Sequence, residues 1–148
     1  MYWSMALEMG SLMIMPAIVM GVIIGIANLI MMIKDETGSA SSVISHGATA
    51  FIWVLVFVFL SMNYTLVLAM IPSLQEGFFG NVIVIRLLLG LISAIYVHVH
   101  SGLFKGARGA GMHETWIHSF GLGILIAVAP YIWPFLAPML PAWMGGSS

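Results

Sequence analysis

Long apolar stretches separated by short polar connections make up most of this chain. A helix rises about 1.5 Å per residue, so about 20 apolar residues cross the roughly 30 Å hydrocarbon layer of a bilayer. Four stretches reach this length, at about 10–33, 47–71, 81–100 and 117–137. The pattern predicts an all-α, polytopic integral membrane protein, with four transmembrane helices in one four-helix-bundle domain that covers residues 1–148.

The polar connections predict how the chain is oriented. They are too short for a soluble domain, and they lie at 34–46, 72–80 and 101–116. Four spans place both termini on one side, side A, and the first and third connections on the other, side B. Lys34, Lys105 and Arg108 all belong to side B, and no Lys or Arg belongs to a side A connection. Because cytoplasmic loops are rich in Lys and Arg, both termini are predicted on the non-cytoplasmic side of a cytoplasmic-type membrane.

Composition agrees with a lipid environment and excludes several functions. Of the 148 residues, 61% are hydrophobic and 6% charged, whereas a soluble domain carries about 25% charged residues. The net charge of −1 and the scattered basic residues give no nucleic-acid surface. The absence of cysteine excludes disulfides, thiolate metal sites and a cysteine nucleophile. No set of residues resembles an active site, so we expect no autonomous enzyme.

Small residues recur at helical spacing along three of the spans. Such faces allow membrane helices to approach closely, and the predicted packing residues are Gly21, Gly25, Gly90, Ala94, Gly123, Ala127, Pro130 and Pro134. The two prolines remove the helical donors of the Ile126 and Pro130 carbonyls and predict a kink in the last helix. Polar side chains of the second span, at positions 61, 63 and 65, are the expected partners of these carbonyls. The stripe either packs the monomer, faces another subunit or a hydrated path, or provides a gating kink.

Arg86 is the one charge set well inside a span. An intramembrane ionisable residue is a candidate for a functional site. Its side chain is expected to reach Asn63, Thr65 or Glu76, or to bend toward the lipid headgroups. With Ser93 and His100 on the same face, it forms a candidate polar pathway in which the cationic group favours anions.

All five histidines fall on side B. His98 and His118 come out at the same depth on adjacent antiparallel helices, and His46 opens the second span on that side. Together these three imidazoles could hold copper, zinc or a haem iron. Interfacial contacts with headgroups or loop carbonyls are the alternative, and no cofactor is predicted.

Three functions remain open from the residues alone. The preferred one is a small oligomeric channel or transport-type pore built from several copies, with the lipid bilayer and further copies as partners. The first alternative is a non-catalytic accessory subunit of a larger membrane complex, such as a respiratory or metal-dependent oxidase. The second is a haem or metal protein that uses His98 and His118.

Overall fold

The computed structural model describes the backbone of residues 12–35, 40–105 and 116–146, and the side chains of residues 12–31, 47–99 and 116–146. Within these ranges the protein is helical and has no strand, which confirms the predicted all-α class. The α-helices are α1 (Ile14–Asp35), α2 (Ala40–Met62), α3 (Tyr64–Met70), α4 (Val82–Lys105) and α5 (Trp116–Leu136). Short 3₁₀ turns follow α3 and α5, at Pro72–Leu74, Gly77–Gly80, Ala137–Met139 and Ala142–Met144.

Three helices are long and apolar enough to cross a bilayer. The apolar windows are Ile14–Met31 in α1, Val82–Val99 in α4 and Trp116–Met139, which begins with α5. A fourth candidate is the pair Gly47–Met62 and Tyr64–Met70, which is bent by 87°. The described chain therefore has three membrane-type helices, or four if the bent pair is one span.

The bend divides the predicted second span, 47–71, into two helices at Asn63. This residue leaves the helical conformation, with φ −112° and ψ 48°. Its side-chain nitrogen Nδ2 donates to the Phe59 carbonyl at 2.9 Å, and its Oδ1 accepts the Met13 backbone N–H at 2.7 Å. Asparagine can satisfy nearby backbone groups with its own amide, which offers the chain an alternative to continuing the helix. Because α2 begins already at Ala40, its 23 residues still extend about 34 Å.

The four long helices form a closed bundle. α1 packs along α2 and α4 along α5, while α2 also contacts α4 and α5, and α1 contacts α5. The beginning of α1 meets the turn Ala142–Met144, so the first and last described segments lie at the same end. We call this end, which holds Met13, Asn63 and Arg86, the Arg86 end. The opposite end, which holds Asn28, His98 and His118, is the histidine end.

Small residues make the two closest helix contacts. A Cβ at Gly90 would meet the carbonyl oxygen of Gly123, and a Cβ at Gly123 would meet that of Gly90, so the α4 and α5 backbones touch. In α1, a Cβ at Gly21 would lie 2.6 Å from Leu55 Cδ2, and one at Gly25 would lie 2.5 Å from Phe51 Cδ2. A larger residue at Gly90 or Gly123 would therefore displace backbone, whereas one at Gly21 or Gly25 would first displace the side chain of Leu55 or Phe51.

The small-residue face of α5 packs only over part of its predicted length. Ala94 and Ala127 are buried beside the Gly90–Gly123 contact, but Pro130 is half-buried and Pro134 is exposed. The antiparallel register explains why Pro134 does not pack within one chain. Pro134 lies eleven positions beyond Gly123, whereas α4 extends only eight positions before Gly90, so α4 ends before it reaches Pro134. α5 itself continues through both prolines.

Candidate functional site

Arg86 lies four residues after the start of α4 and is surrounded by groups from three helices. Its Nε–H donates to the Ser61 carbonyl oxygen at the end of α2, at 3.3 Å. Its guanidinium carbon lies 5.2 Å from the ring centroid of Tyr64 in α3 and 4.7 Å from that of Tyr131 in α5. Aromatic rings at these distances attract a cation. Arg86 is half-buried, so these contacts stabilise its charge at the edge of the bundle.

The expected partners of Arg86 were wrong. Asn63 instead joins Met13 to Phe59, Thr65 makes no hydrogen bond among the described residues, and the exposed Glu76 makes no ion pair among them. The bend accounts for the difference, because it places the Tyr64 ring beside the guanidinium. The sequence pattern did not indicate Tyr131, because its contact with Arg86 depends on the register of α5 relative to α4.

The expected partners of the two proline-freed carbonyls were also wrong. No hydrogen bond joins Ser61, Asn63 or Thr65 to the Ile126 or Pro130 carbonyl among the described residues. The Ser61 hydroxyl is fully buried, and within the described part of the chain it has no hydrogen-bond partner. It is therefore a buried polar group next to the carbonyl that Arg86 contacts.

The face of α4 proposed as a pathway packs inside the bundle of its own chain. Ser93 is fully buried and donates to the Gly90 carbonyl of its own helix at 2.7 Å. Arg86 on the same face contacts α2, α3 and α5. The side chain of His100 lies outside the described residues. In this structure, therefore, Ser93 belongs to the interior of the bundle, and the half-buried Arg86 lies at its edge in contact with other helices of the same chain.

At the histidine end, polar side chains from three helices meet in two pairs. His118 Nε2 lies 3.0 Å from Asn28 Oδ1, and His98 Nδ1 lies 3.4 Å from Ser119 Oγ. His118 is 7% exposed, and Asn28 and Ser119 are fully buried. Because an amide oxygen only accepts, His118 donates from Nε2 in its pair. The pairs link α5 to α1 and to α4.

His98 and His118 do lie on adjacent helices at the same end, as their spacing predicted. The His98 ring also stacks on Trp116, with ring centroids 3.7 Å apart. The side chain of His46 lies outside the described residues, so the predicted set of three stays a prediction. Among the side chains that the structure describes, no group of three or more His, Cys, Asp or Glu residues could hold a metal ion.

The two polar ends are separated by a mostly apolar stretch of the interior. Arg86 and His98 are twelve positions apart on α4, a separation of about 18 Å along the helix. The fully buried Ser93 lies between them on α4, and the fully buried apolar side chains of the bundle interior include Val54, Val58, Leu122 and Ile126. We call these four residues the apolar layer.

The charge distribution of the interior is one-sided. Arg86, His98 and His118 are the basic groups that contact other helices in the described bundle. Glu76, the acidic residue whose side chain is described, is exposed in the connection after α3. Within the described residues, Arg86 is therefore a fixed positive charge in the bundle without a described carboxylate beside it.

Two partners at the histidine end were missed by sequence reasoning. Asn28 was visible only as a continuation of the small-residue face of Gly21 and Gly25, and Ser119 was overlooked beside His118. The rule that polar side chains in membrane helices face other helices could have identified both as partners. Ser61 was considered only as a partner for carbonyls.

No family model matches the chain, and comparisons with curated proteins and with solved structures found no match. The fold and composition define a membrane-type helical bundle, and the arguments for its function come from its own residues.

Proposed function

We propose that the protein is a small transport-type membrane protein, assembled from several copies, that conducts anions through a polar route inside its helical bundle. The carrying observation is the placement of basic side chains at both ends of the described bundle, with the half-buried Arg86 at one end and His98 and the buried His118 at the other. Ionisable residues within membrane helices commonly mark ion pathways, and cationic groups along a pore favour anions. The proposal needs no cofactor and no catalytic step.

The apolar layer has the role of a closed gate in this proposal. Its side chains fill the interior between the two polar ends, and hydrophobic constrictions block ions by excluding water. Conduction then requires the helices to move apart around Leu122 and Ile126. The buried hydroxyls of Ser61 and Ser93 would contact the ion or its water once the route is hydrated.

Flux through reconstituted vesicles tests the proposal directly. Purified protein in liposomes should pass chloride or nitrate down a gradient. In a potassium chloride gradient, its reversal potential should lie closer to the equilibrium potential of chloride than to that of potassium. Arg86→Gln should reduce the preference for anions, and Arg86→Lys should retain most of it because the charge remains. Flux that is absent, or that shows no anion preference in the wild type, would refute the proposal.

A matched pair of α5 variants tests the gate. Leu122→Ser places a hydroxyl in the apolar layer and should raise the flux, because it lets water enter the constriction. Ile124→Ser, on the exposed face of the same helix where Ile124 is 61% exposed, should leave the flux unchanged. Equal flux from both variants would remove the apolar layer from the mechanism.

The closed interior also favours a second candidate, the non-catalytic accessory subunit of a larger membrane complex. Such a subunit needs a stable packed bundle, and fully buried Val54, Val58, Leu122 and Ile126 provide one. The polar pairs would then act as hydrogen bonds between helices. The composition of the particle isolated in mild detergent separates the two: copies of one chain support the pore, and several different polypeptides support the accessory role.

A further inference from the structure

Only part of the hydrogen-bonding capacity of the Arg86 guanidinium is used by the described residues. The guanidinium carries five N–H donors, and the structure uses Nε–H toward the Ser61 carbonyl. The donors on the two terminal nitrogens have no hydrogen-bond acceptor among the described residues, and no described carboxylate pairs with the charge. The rings of Tyr64 and Tyr131 approach the guanidinium carbon, but they supply no formal negative charge.

Both tyrosines whose rings contact Arg86 also carry a hydroxyl group that can donate a hydrogen bond. Neither the Tyr64 nor the Tyr131 hydroxyl makes a hydrogen bond with a described residue. Each phenol can donate one hydrogen bond, while the guanidinium offers a planar fork that matches the oxygen atoms of a phosphate or carboxylate. The cluster therefore combines one fixed positive charge with donors from α3, α4 and α5.

The cluster is accessible from the bundle surface. Arg86 lies about 6 Å along α4 from the first residue, Val82, and Tyr131 is 47% exposed. A charge close to a helix end can reach the headgroup region of a bilayer. A ligand could therefore enter from the lipid or from the adjoining aqueous surface.

We propose that Arg86, Tyr64 and Tyr131 form a binding site for a phosphate-type oxyanion, supplied either by the headgroup of an anionic lipid or by free phosphate. In this proposal the forked guanidinium binds two oxygen atoms of the anion, and the tyrosine hydroxyls donate to the others. A forked donor set distinguishes an oxyanion from a halide. The inference goes beyond the proposed function, because a bound oxyanion requires no conduction.

The two sources can be distinguished with the full-length protein in neutral detergent. Free phosphate binding is measured by calorimetry against a chloride control. Lipid binding is measured by native mass spectrometry after addition of phosphatidylglycerol, with phosphatidylcholine as the zwitterionic control. Saturable binding in either arm supports the site and names its source. No binding in either arm, or binding of chloride with equal affinity, overturns it.

Variants assign the binding to these residues. Arg86→Gln should weaken the affinity about tenfold to a hundredfold, because it removes a charged hydrogen-bonding group. Arg86→Lys keeps the charge but loses the fork and should show an intermediate loss. Tyr131→Phe should weaken binding about twofold to tenfold, whereas Tyr96→Phe, a tyrosine nearer the histidine end of α4, should not. Unchanged affinity in folded Arg86→Lys and Tyr131→Phe overturns the site even if Arg86→Gln fails to fold.

Two further outcomes separate this site from its alternatives. Glu8, which lies outside the described residues, should be dispensable, so Glu8→Gln should bind the oxyanion as the wild type does. Binding that appears or rises at least tenfold only in Glu8→Gln would identify Glu8 as the natural counter-ion and overturn the proposal. Binding without any flux refutes only the proposed function, and Arg86-dependent flux without oxyanion binding refutes only this site.

Discussion

The backbone contact between Gly90 and Gly123 allows a sharp test of the fold. In Gly123→Ala the new methyl carbon would meet the carbonyl oxygen of Gly90 and would lie 3.1 Å from both the Gly90 carbonyl carbon and Ala94 Cβ. All three atoms belong to the backbone or to a side chain without rotamers. They cannot turn aside, so α4 and α5 must move apart by several tenths of an ångström.

The expected magnitude follows from this overpacking. An added methyl group in a closely packed interior destabilises a protein by about 1–3 kcal/mol. Alanine also favours the helix over glycine by about 1 kcal/mol, which opposes the loss. Gly121→Ala isolates that second effect, because a Cβ at Gly121 meets no atom within 4 Å. We therefore expect the free energy of unfolding of Gly123→Ala to lie about 1–3 kcal/mol below that of Gly121→Ala.

Unfolding in mixed micelles with a rising fraction of sodium dodecyl sulfate provides the measurement, followed by circular dichroism and tryptophan fluorescence. Gly90→Ala should behave like Gly123→Ala, since each glycine faces the carbonyl of the other. The reasoning would be refuted if Gly123→Ala and Gly121→Ala had the same stability. That result would mean that α4 and α5 do not cross at these glycines.

Three further predictions concern the bend, the histidine end and the orientation. Asn63→Leu should lower the free energy of unfolding by about 1–3 kcal/mol, because the Met13 N–H loses its acceptor, while the Phe59 carbonyl keeps the backbone N–H of residue 63. A variant as stable as the wild type would show that the side chain of Asn63 does not hold the bend. A double-mutant cycle of Asn28→Leu and His118→Phe should give a coupling of about 0.6–1.7 kcal/mol, the range for hydrogen bonds between membrane helices, and strictly additive losses would contradict the 3.0 Å pair. Because the chain has no cysteine, Gly109→Cys and Ser148→Cys can each be labelled in intact cells with an impermeant maleimide. Only Ser148→Cys should react, because the connection that holds Gly109 is predicted to be cytoplasmic. Labelling of Gly109→Cys would reverse the predicted orientation.

The structure also changes how a pathway can be assigned. A pore lined by one face of the third span requires that face to point away from its own bundle, but Ser93 is fully buried and bonded within α4. The route proposed above therefore lies inside the bundle, where Arg86 and the histidine pairs are held. Its opening requires helix movement at the apolar layer, which the Leu122→Ser variant addresses.

Some features of this protein were determined by local properties of its sequence. The length of each apolar run decides that a helix can cross a bilayer, because hydrocarbon requires every backbone group to be bonded within the segment. Gly90 with Ala94 and Gly123 with Ala127 could be recognised as packing surfaces, because residues three and four apart share a helix face. The shared depth of His98 and His118 followed from counting outward from the connection between their helices.

The bend at Asn63 and the partners of the polar residues were decided only by tertiary structure. Hydropathy sums residues without regard to direction, so an apolar run of 25 residues looks the same whether it continues straight or turns by 87° after Met62. The pairing of Asn28 with His118 joins helices at opposite ends of the chain, and it depends on the rotation of each helix about its own axis. Arg86 likewise meets Tyr64 only because the chain turns, and Tyr131 only because of the antiparallel register of α4 and α5. Contacts between helices depend on such rotations and registers, which the packing of all the helices together determines.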